Sequence, residues 1–323
     1  MKSIIPIANV VAVVLAGAVA GGAAAQTYPD RPVKLIIGFT PGSSADVSAR
    51  IVAEEMGRAL GQAVIVEARP GASSNIAAQA VVKADPDGYT LFYGSVANIL
   101  SRATKAAGSV DMGKELSAIG LVCAVPNILV VNPSVKAQSV QELIALAKAE
   151  PGTLNYGSPG PGTIPHFSGE LFNVMAGVKM VHVPYKGTPQ AAQDVVGGSL
   201  QVMFAPSSTV LGLIEGKQLR ALAWTILKRG PVLPDLPTVA EAGLPGFDTS
   251  IWFGINAPVG TPAPLRDKLA GALAAALTSD AVAKGFRTQS IEPFAAGPAE
   301  YAKYIETEGT KWAEIAVKAG LVK

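Results

Sequence analysis

Short apolar runs alternate with amphipathic stretches along the chain from Val33 onward. Most of these runs are bounded by Gly, Pro or Asn. Such runs are typical of strands that are buried on both faces of a sheet. They predict strands at Val33–Phe39, Ala63–Glu67, Thr90–Tyr93, Ala118–Val125, Ile128–Val131, Thr153–Tyr156, Met180–Val183, Gln201–Phe204, Leu219–Ala223, Trp252–Ala257 and Ile291–Phe294.

The stretches between these runs carry apolar residues at helical spacing. Ser139 and Glu142 have the spacing of a capping box at the start of one stretch. Thr261 followed by Pro262 predicts a helix cap with proline at the first helical position. The alternation of strands and helices predicts an α/β fold, in which a mostly parallel sheet is flanked by helices.

The domain organisation is indicated by what the chain lacks. It has no repeat and no low-complexity linker that would mark a single junction between two domains. Two apolar stretches, Leu121–Val131 and Ile251–Pro258, can instead cross between domains. Two crossings predict a discontinuous first domain, residues 27–124 plus 253–323, and an inserted second domain, residues 125–252. That arrangement supplies a hinge and a cleft between the domains, where ligands often bind.

The N-terminus has the pattern of a secretory signal peptide spanning residues 1–26. Lys2 precedes a nearly continuous apolar or small run, Ile4–Ala20, and the small residues Ala23–Ala25 follow as a cleavage site. The alternative is a membrane anchor that stays attached. Cleavage is favoured because the run is rich in Ala and Gly and ends at that small-residue site. We therefore expect a periplasmic protein, and the absence of a nearby Cys gives no support to a lipid anchor.

Composition narrows the function classes further. The formal net charge is +2, and removing residues 1–26 takes away only Lys2 among the charged residues, which leaves +1. A nearly neutral protein lacks the basic footprint that binds nucleic acid, so no nucleic-acid partner is expected. The single cysteine, Cys123, has no partner for an internal disulfide and lies in an apolar run, so we interpret it as a buried core residue.

The sequence contains no complete motif for catalysis or metal binding. His166 and His182 are the only histidines, and no His-Glu-x-x-His segment, cysteine pair or Gly-x-Ser-x-Gly elbow occurs. Residues 85–88 read as a turn, and the Gly-rich segment at residues 212–218 has the wrong spacing for a phosphate loop. No catalytic residue, metal or cofactor is therefore predicted. His182 is interpreted as structural, whereas His166 follows a Gly-rich loop and stays a candidate for the cleft.

The positive signals are Ser-, Thr- and Gly-rich loops where a strand leads into a helix. Free backbone N–H groups and the helix dipole favour an anion at such positions. The carboxyl ends of parallel strands are also where open α/β sheets bind ligands. Because Lys186 is the only cation within the loop cores, a small carboxylate would be held by neutral donors. The candidate residues are Thr40, Gly42, Ser43 and Ser44 in the first loop, Ala72, Ser73 and Ser74 in the second, Ser95 in the third, Ser158 and Thr163 in the fourth, and Tyr185 in the fifth.

Ordered motifs along nearly the whole mature chain resemble a known family. They are Tyr28–Pro32, Phe39–Gly42, Val66–Ala72, Asp87–Leu91, Val183–Gly187, Gly197-Gly198, Val202–Phe204, Pro237–Gly243, Trp252–Gly254, Ala257-Pro258 and Gly260–Pro262. In this order they are similar to the Bug family, the periplasmic solute-binding receptors of tripartite tricarboxylate transporters.

The resemblance implies a two-domain "Venus flytrap" that grips a ligand carboxylate with its first two Gly-rich loops. Carried onto this chain, the first domain would use Thr40, Gly42, Ser43, Ser44, Ala72, Ser73 and Ser74, and the opposing domain Ser158, Thr163, His166 and the loop after Phe204, including Ala205. It also implies membrane subunits of a tripartite tricarboxylate transporter as partners. We expect the receptor itself to be a monomer.

The chain departs from the family pattern at several positions. The family often has Gly-Gly where this chain has Gly42-Ser43 and Ser73-Ser74, and usually has Asn at Ala68. An Asp commonly follows the Met-Phe pair, whereas Ala205-Pro206 stands here. Losing that acidic group would disfavour a ligand ammonium. The expected ligand is thus a mono- or dicarboxylate without a free amino group, with aromatic acids included, and the family's wider class adds tricarboxylates.

The predicted function is capture of a small carboxylate by domain closure and its delivery to a membrane transporter. An alternative with the same fold and site is an orphan sensor that presents its ligand-bound form to a signalling partner. A third possibility, an enzyme, has no identifiable nucleophile, base or metal. The sequence does not name the ligand.

Overall fold

The computed structural model describes residues 28–230 and 232–318, so the predicted signal peptide, residues 1–26, lies outside the described part. The strands are β1 (Val33–Ile37), β2 (Val64–Ala68), β3 (Thr90–Ser95), β4 (Leu116–Val131), β5 (Asn155–Ser158), β6 (Val181–Pro184), β7 (Val202–Pro206), β8 (Arg220–Trp224), β9 (Ser250–Pro258) and β10 (Glu292–Ala296). Every predicted strand overlaps one of these.

The helices follow the strands in an α/β alternation. They are α1 (Ser44–Leu60), α2 (Asn75–Val82), α3 (Val96–Ala103), α4 (Met112–Glu115), α5 (Val140–Ala149), α6 (Ile164–Ala176), α7 (Thr188–Val196), α8 (Ser207–Glu215), α9 (Ala263–Leu277), α10 (Asp280–Thr288) and α11 (Pro298–Lys318), with a 3-10 turn at Ala72–Ser74.

One long strand, β4, joins the two parts of the sheet. The sequence predicted separate strands at 118–125 and 128–131, but β4 runs without a break over 16 residues. Its first part pairs with β9 as far as Pro126, and its second part pairs with β7 from Asn127 onward. Pro126 therefore stands where β4 changes partner, so its missing N–H interrupts neither ladder in mid-course.

The sheet is mixed, which corrects the expectation of mostly parallel pairing. The strand order is β2-β1-β3-β9-β4-β7-β5-β6, with β8 and β10 also paired to β4. Strands β2-β1-β3 and β6-β5-β7 pair in parallel, whereas the pairs that β4 and β9 make are antiparallel. The reason is the double crossing, because β4 leaves the first domain, β9 returns to it, and the two strands lie side by side.

The hydrophobic core is divided in the same way. One cluster combines buried residues of β1–β3, β9, α1, α9 and α11, and two others are formed by residues between Ile128 and Phe247. The fold is thus a two-domain one: the first domain holds β1–β3, β9, β10 and the start of β4, and the second holds the end of β4 with β5–β8. The domain borders at residues 124/125 and 252/253 stay a prediction.

Two predicted helix caps are adjusted by the structure. Ser139 caps α5, since its Oγ accepts from the Glu142 N–H at 3.1 Å, but the Glu142 carboxylate accepts from Gln138 N instead of Ser139 N. The expected cap at Thr261 is wrong: Pro262 occupies the cap position of α9. The Thr261 hydroxyl donates to the Pro258 carbonyl at 2.8 Å, which closes the turn before the helix.

The buried carboxylate of Glu308 links helix α11 to the returning strand β9. Glu308, which is 6% exposed, accepts from the indole nitrogens of Trp252 at 3.0 Å and Trp312 at 2.9 Å. Lys311 lies 3.2 Å from its other oxygen. Trp312 also meets Phe167 of α6 edge to face, with ring centroids 5.7 Å apart. This cluster joins the two domains at the crossing strands.

Candidate functional site

A narrow pocket of about 20 Å³, which is room for about one water molecule, lies between the two domains. The first domain contributes the loop after β1, the end of β3, the starts of α1 and α3, and β9 to its wall. The second domain contributes the loop after β5 and the starts of α6 and α7. The lining residues are Phe39, Ser43, Ser44, Ser95, Val96, Ala97, Pro159, Thr163, Ile164, Pro165, Thr188, Ile251 and Phe253. None of these described residues carries an ionisable side chain.

Four helices begin at this pocket. The first residues of α1, α3, α6 and α7 are Ser44, Val96, Ile164 and Thr188, and all of them line the pocket. Each helix N-terminus carries unpaired N–H groups and a partial positive charge of roughly half an elementary charge. These helix starts favour a small anion in the pocket although no cation lines it.

The loop before α1 exposes hydroxyl donors. Ser43 is the N-cap and its Oγ accepts from the Asp46 N–H at 3.4 Å, which leaves its hydroxyl hydrogen available. Ser44 makes no side-chain hydrogen bond to another described residue, although it is only 5% exposed. The nearby Asp46 carboxylate is already engaged, because it accepts from Gly42 N at 3.0 Å and pairs with Arg50 at 2.8 Å.

The start of α3 is held by a buried polar network. Ser95, Asn98 and Asn75 are each no more than 2% exposed. Ser95 and Asn98 form a capping box, in which Asn98 accepts from Ser95 N at 3.2 Å. The Asn98 amide contacts the Asn75 side chain at 3.5 Å, and Asn75 donates to the Ala72 carbonyl at 2.8 Å. The second and third predicted loops are thereby tied together.

The second loop has an unusual backbone. Ala72, Ser73 and Ser74 have φ values of 46°, 51° and 75°, so three consecutive non-glycine residues lie in the left-handed region. Each costs about 1–2 kcal/mol, and such strain concentrates at functional sites. Ser74 packs tightly on Gly38, where a Cβ would lie 1.9 Å from the Ser74 Oγ. That Oγ is buried and has no hydrogen-bond partner among the described residues.

An outer groove of about 440 Å³ adjoins the pocket and shares Phe39 and Pro159 with it. It is lined by the second loop, including Ala72 and Ser73, and by Pro184, Tyr185 and Lys186 of the second domain, among others. The Tyr185 hydroxyl donates a hydrogen bond to the Asp194 carboxylate at 2.5 Å, so its hydrogen is not free for a ligand. We interpret this groove as the entrance.

A pair of histidines, His166 and His182, supports the fourth loop from behind. Their ring centroids are 4.3 Å apart. His182 Nε2 lies 2.6 Å from the Ser158 Oγ, and the His166 Nδ1 accepts from Gly162 N at 3.4 Å. Burial lowers the pKa of each histidine to about 4. Both are therefore neutral at ordinary pH, and His166 lines neither the pocket nor the groove.

The loops of the two domains touch across the cleft. The Ser73 hydroxyl donates to the Pro161 carbonyl. A Cβ added to Gly187 would lie 2.1 Å from the Thr40 Oγ1, and one added to Gly42 would lie 3.6 Å from Pro189. The Thr40 Oγ1 is buried without a partner among the described residues. The domains are thus in close apposition around the pocket.

The predicted site residues fall into five groups. Ser43, Ser44, Ser95 and Thr163 line the pocket, and Ala72, Ser73 and Tyr185 line the groove. Thr40, Gly42 and Ser74 line neither cavity: Thr40 and Gly42 face Gly187 and Pro189 of the second domain, and Ser74 packs on Gly38. Ser158 and His166 act within the second domain. Ala205 is fully buried in the second-domain core and lines neither the pocket nor the groove, so its place among the ligand-binding residues stays a prediction.

Sequence reasoning missed several residues at the site. Thr188 is the last residue of the fifth loop but was not among the candidate residues; it lines the pocket, as do Ile251 and Phe253 of the returning strand. Asn98 positions the third loop. The Ser95-x-x-Asn98 spacing is a capping-box signal that could have identified it. Nothing in the local pattern points to the two β9 residues, because their role depends on the sheet topology.

Comparison with known proteins adds to this geometry. The profile of the family described as "Tripartite tricarboxylate transporter family receptor" matches residues 48–321. The chain belongs to this receptor family. Its relative BugT of Bordetella pertussis is 35% identical over 304 residues, which cover 94% of this chain and 93% of BugT.

Solved structures of similar receptors share the fold. The periplasmic binding protein BugD aligns with a TM-score of 0.88 at 32% identity, over 92% of this chain and all of BugD. The R. palustris protein Rpa4515, solved with adipate, aligns with a TM-score of 0.86 at 35% identity, over 91% and 98% of the two chains. A receptor of this family is a periplasmic binding protein and not an enzyme. Within the described residues, no helix has both the length and the apolar character that a membrane crossing requires.

Proposed function

We propose that this receptor captures a small carboxylate between its two domains in the periplasm and delivers it to the membrane subunits of a tripartite tricarboxylate-type transporter. Residues 1–26 would direct its secretion, and the receptor would act as a monomer. The single observation that carries the proposal is the convergence of four helix N-termini on one pocket between the domains.

The chemistry of the wall supports binding without reaction. The donors around the pocket are serine and threonine hydroxyls and backbone N–H groups, which hold an anion without a buried ion pair. Release then requires no separation of opposite charges in a medium of low dielectric constant. The two histidines are neutral, face each other and are turned to the fourth loop, so neither is positioned as a base for a ligand.

The contacts across the cleft support coupling of binding to closure. Ser73 with Pro161 and Thr40 with Gly187 link loops of opposite domains around the pocket. A ligand that touches both walls binds the closed form better than the open form, so it shifts the equilibrium toward closure. The closed form would be the one that membrane subunits recognise.

A thermal-shift screen of the mature chain against mono-, di- and tricarboxylates, aromatic acids and amino acids tests this function. A ligand at a hundredfold excess over its Kd stabilises the folded state by about 2.7 kcal/mol, which raises the midpoint by roughly 5 °C. A saturable rise with a carboxylate class is expected. Stabilisation by amino acids alone, or by none of these compounds, would contradict the proposal.

A further inference from the structure

We propose that His166 and His182 are positioning residues that hold the fourth loop, residues 158–163, against the first domain only while both are neutral, so that acid releases the loop and weakens ligand binding. Neither histidine lines the pocket or the groove, so each acts through the loop. The inference rests on the proposed function, because the loop acts on the closure that holds the ligand.

The outer part of the fourth loop contacts the first domain. The Ser73 hydroxyl donates to the Pro161 carbonyl. Gly162 lies close by, since a Cβ added there would be 3.5 Å from the Ser101 Oγ and 3.7 Å from the Ser73 Oγ. Ser73 belongs to the second loop and Ser101 to α3. The position of the fourth loop therefore decides whether this contact across the cleft forms.

The same loop rests on the two histidines within the second domain. Gly162 N donates to the His166 Nδ1 at 3.4 Å. His182 Nε2 lies 2.6 Å from the Ser158 Oγ, which also accepts from Gly160 N at 3.1 Å. His166 belongs to α6 and His182 to β6, so two elements of the second domain hold the loop. Gly162 links His166 directly to the first domain.

Protonation of His166 competes with its hydrogen bond to the loop. An Nδ1 atom that accepts from Gly162 N carries no proton, and a proton bound there would face the N–H group. Burial lowers the pKa of His166 to about 4, so the hydrogen bond is intact at neutral pH. When the loop moves away, water reaches the ring and its pKa rises toward the ordinary 6.5. Protons therefore favour the released loop, and binding is strongest above pH 6.5 and weakens as the pH falls toward 4.

The charges around the pair act in the same direction, with one exception. The two rings, whose centroids are 4.3 Å apart, repel each other when both are protonated. Glu170 favours the charged form of His182, but its carboxylate accepts from the Tyr156 hydroxyl at 2.6 Å, and burial outweighs it. Apart from these four side chains, α6, β5, β6 and the fourth loop carry no ionisable group.

The pH dependence of binding tests the inference. Isothermal titration calorimetry compares pH 7 with pH 5 for the wild type and for His166→Asn, using the carboxylate that gives the largest thermal shift at pH 7. Asparagine keeps an amide oxygen near the position of Nδ1 but takes up no proton. The ratio of Kd at pH 5 to Kd at pH 7 should be larger in the wild type by about fivefold or more. The titration of the acid itself is the same for both proteins, so it cancels in this comparison.

The outcomes separate the inference from the proposed function. Equal ratios in the two proteins would overturn the inference but leave the proposed function intact. Failure of every carboxylate in the thermal-shift screen to bind at pH 7 would overturn both. His166→Ala removes the acceptor altogether, so at pH 7 it should bind more weakly than His166→Asn. Equal affinities of these two variants would overturn the role assigned to Nδ1.

An NMR titration of the histidine ring signals tests the same inference without a variant. A bound anion that acts through its charge alone raises the pKa of a nearby histidine, whereas closure of the loop over the ring lowers it. Because binding and protonation are reciprocal, the carboxylate should lower the pKa of His166. An unchanged or raised pKa in the presence of the carboxylate would overturn the inference.

Discussion

Replacing Gly187 with alanine is predicted to weaken ligand binding without weakening the fold of either domain. Gly187 precedes α7 in extended backbone, with φ −167°, a conformation that alanine adopts freely. Its Cβ would lie 2.1 Å from the Thr40 Oγ1 and 2.8 Å from the Thr40 Cγ2, across the cleft. The close neighbour on its own side is the Gln190 Oε1 at 2.7 Å, the far end of an exposed side chain that can move away.

The cost of this overlap follows from its geometry. Ordinary van der Waals contact between a Cβ and a neighbouring atom begins at 3.4 Å, whereas the Cβ at position 187 would lie only 2.1 Å from the Thr40 Oγ1. Either the two domains stay more than an ångström further apart at this point, or Thr40 shifts. Forcing extra atoms into a packed contact costs about 1–3 kcal/mol. Because the contact exists only when the domains are apposed, this cost falls on the closed form and lowers affinity by about 5- to 150-fold.

Calorimetry with the carboxylate that gives the largest thermal shift, and thermal unfolding without ligand, separate the two effects. Gly212→Ala is the matched control, because a Cβ there meets nothing within 4 Å. The double variant Gly187→Ala/Thr40→Ala removes both overlapping Thr40 atoms, so it should bind more tightly than Gly187→Ala alone. Wild-type affinity in Gly187→Ala would refute the reasoning. A loss of unfolding free energy without ligand that equals the loss of binding free energy would refute it as well.

Three further predictions concern stability and reactivity. Both buried histidines have a pKa of about 4, below the ordinary 6.5, so their contribution to stability is fully present above pH 6.5 and is lost as the pH falls toward 4. The free energy of unfolding from urea denaturation should therefore fall by up to about 3 kcal/mol for His166 and by less for the more exposed His182. Burial raises the pKa of the Cys123 thiol to about 12, so a thiol reagent at pH 8 should react only after unfolding, and rapid labelling of the native protein would be evidence against its burial. Gly254→Ala places a Cβ 2.3 Å from the Tyr301 ring and should lower stability by about 1–3 kcal/mol; an unchanged urea midpoint would contradict that packing.

Much of the fold could be predicted because its signals are local. Short apolar runs, most of them bounded by Gly, Pro or Asn, predicted part of every strand. The apolar stretches Leu121–Val131 and Ile251–Pro258 indicated the two crossings. The continuity of β4 through Pro126 was not visible, since a proline normally ends a central strand and only the change of partner at that point explains it. The antiparallel pairing of β4 with β9 depends on topology and not on residue pattern.

At the site, too, the residues with a local sequence signal were predictable and those that depend on tertiary contacts were not. Ser43, Ser44 and Ser95 were predictable because hydroxyl residues at strand-to-helix turns cap helices and face the carboxyl edge of the sheet. Family resemblance pointed to the residue after Phe204, but in this chain Ala205 is packed into the core. Contacts such as Thr40 with Gly187 join residues that are far apart in sequence, so they emerge only when the two domains are placed together.

The central claim is that a small carboxylate is held between the two domains at the helix starts that meet there. The most direct test is a crystal structure of the mature receptor grown with the carboxylate that stabilises it most in the thermal-shift screen. The account predicts density for the acid between the two domains, with its carboxylate oxygens within hydrogen-bond distance of hydroxyls or backbone N–H groups at the starts of α1, α3, α6 or α7. An empty cleft with the acid bound elsewhere would contradict it.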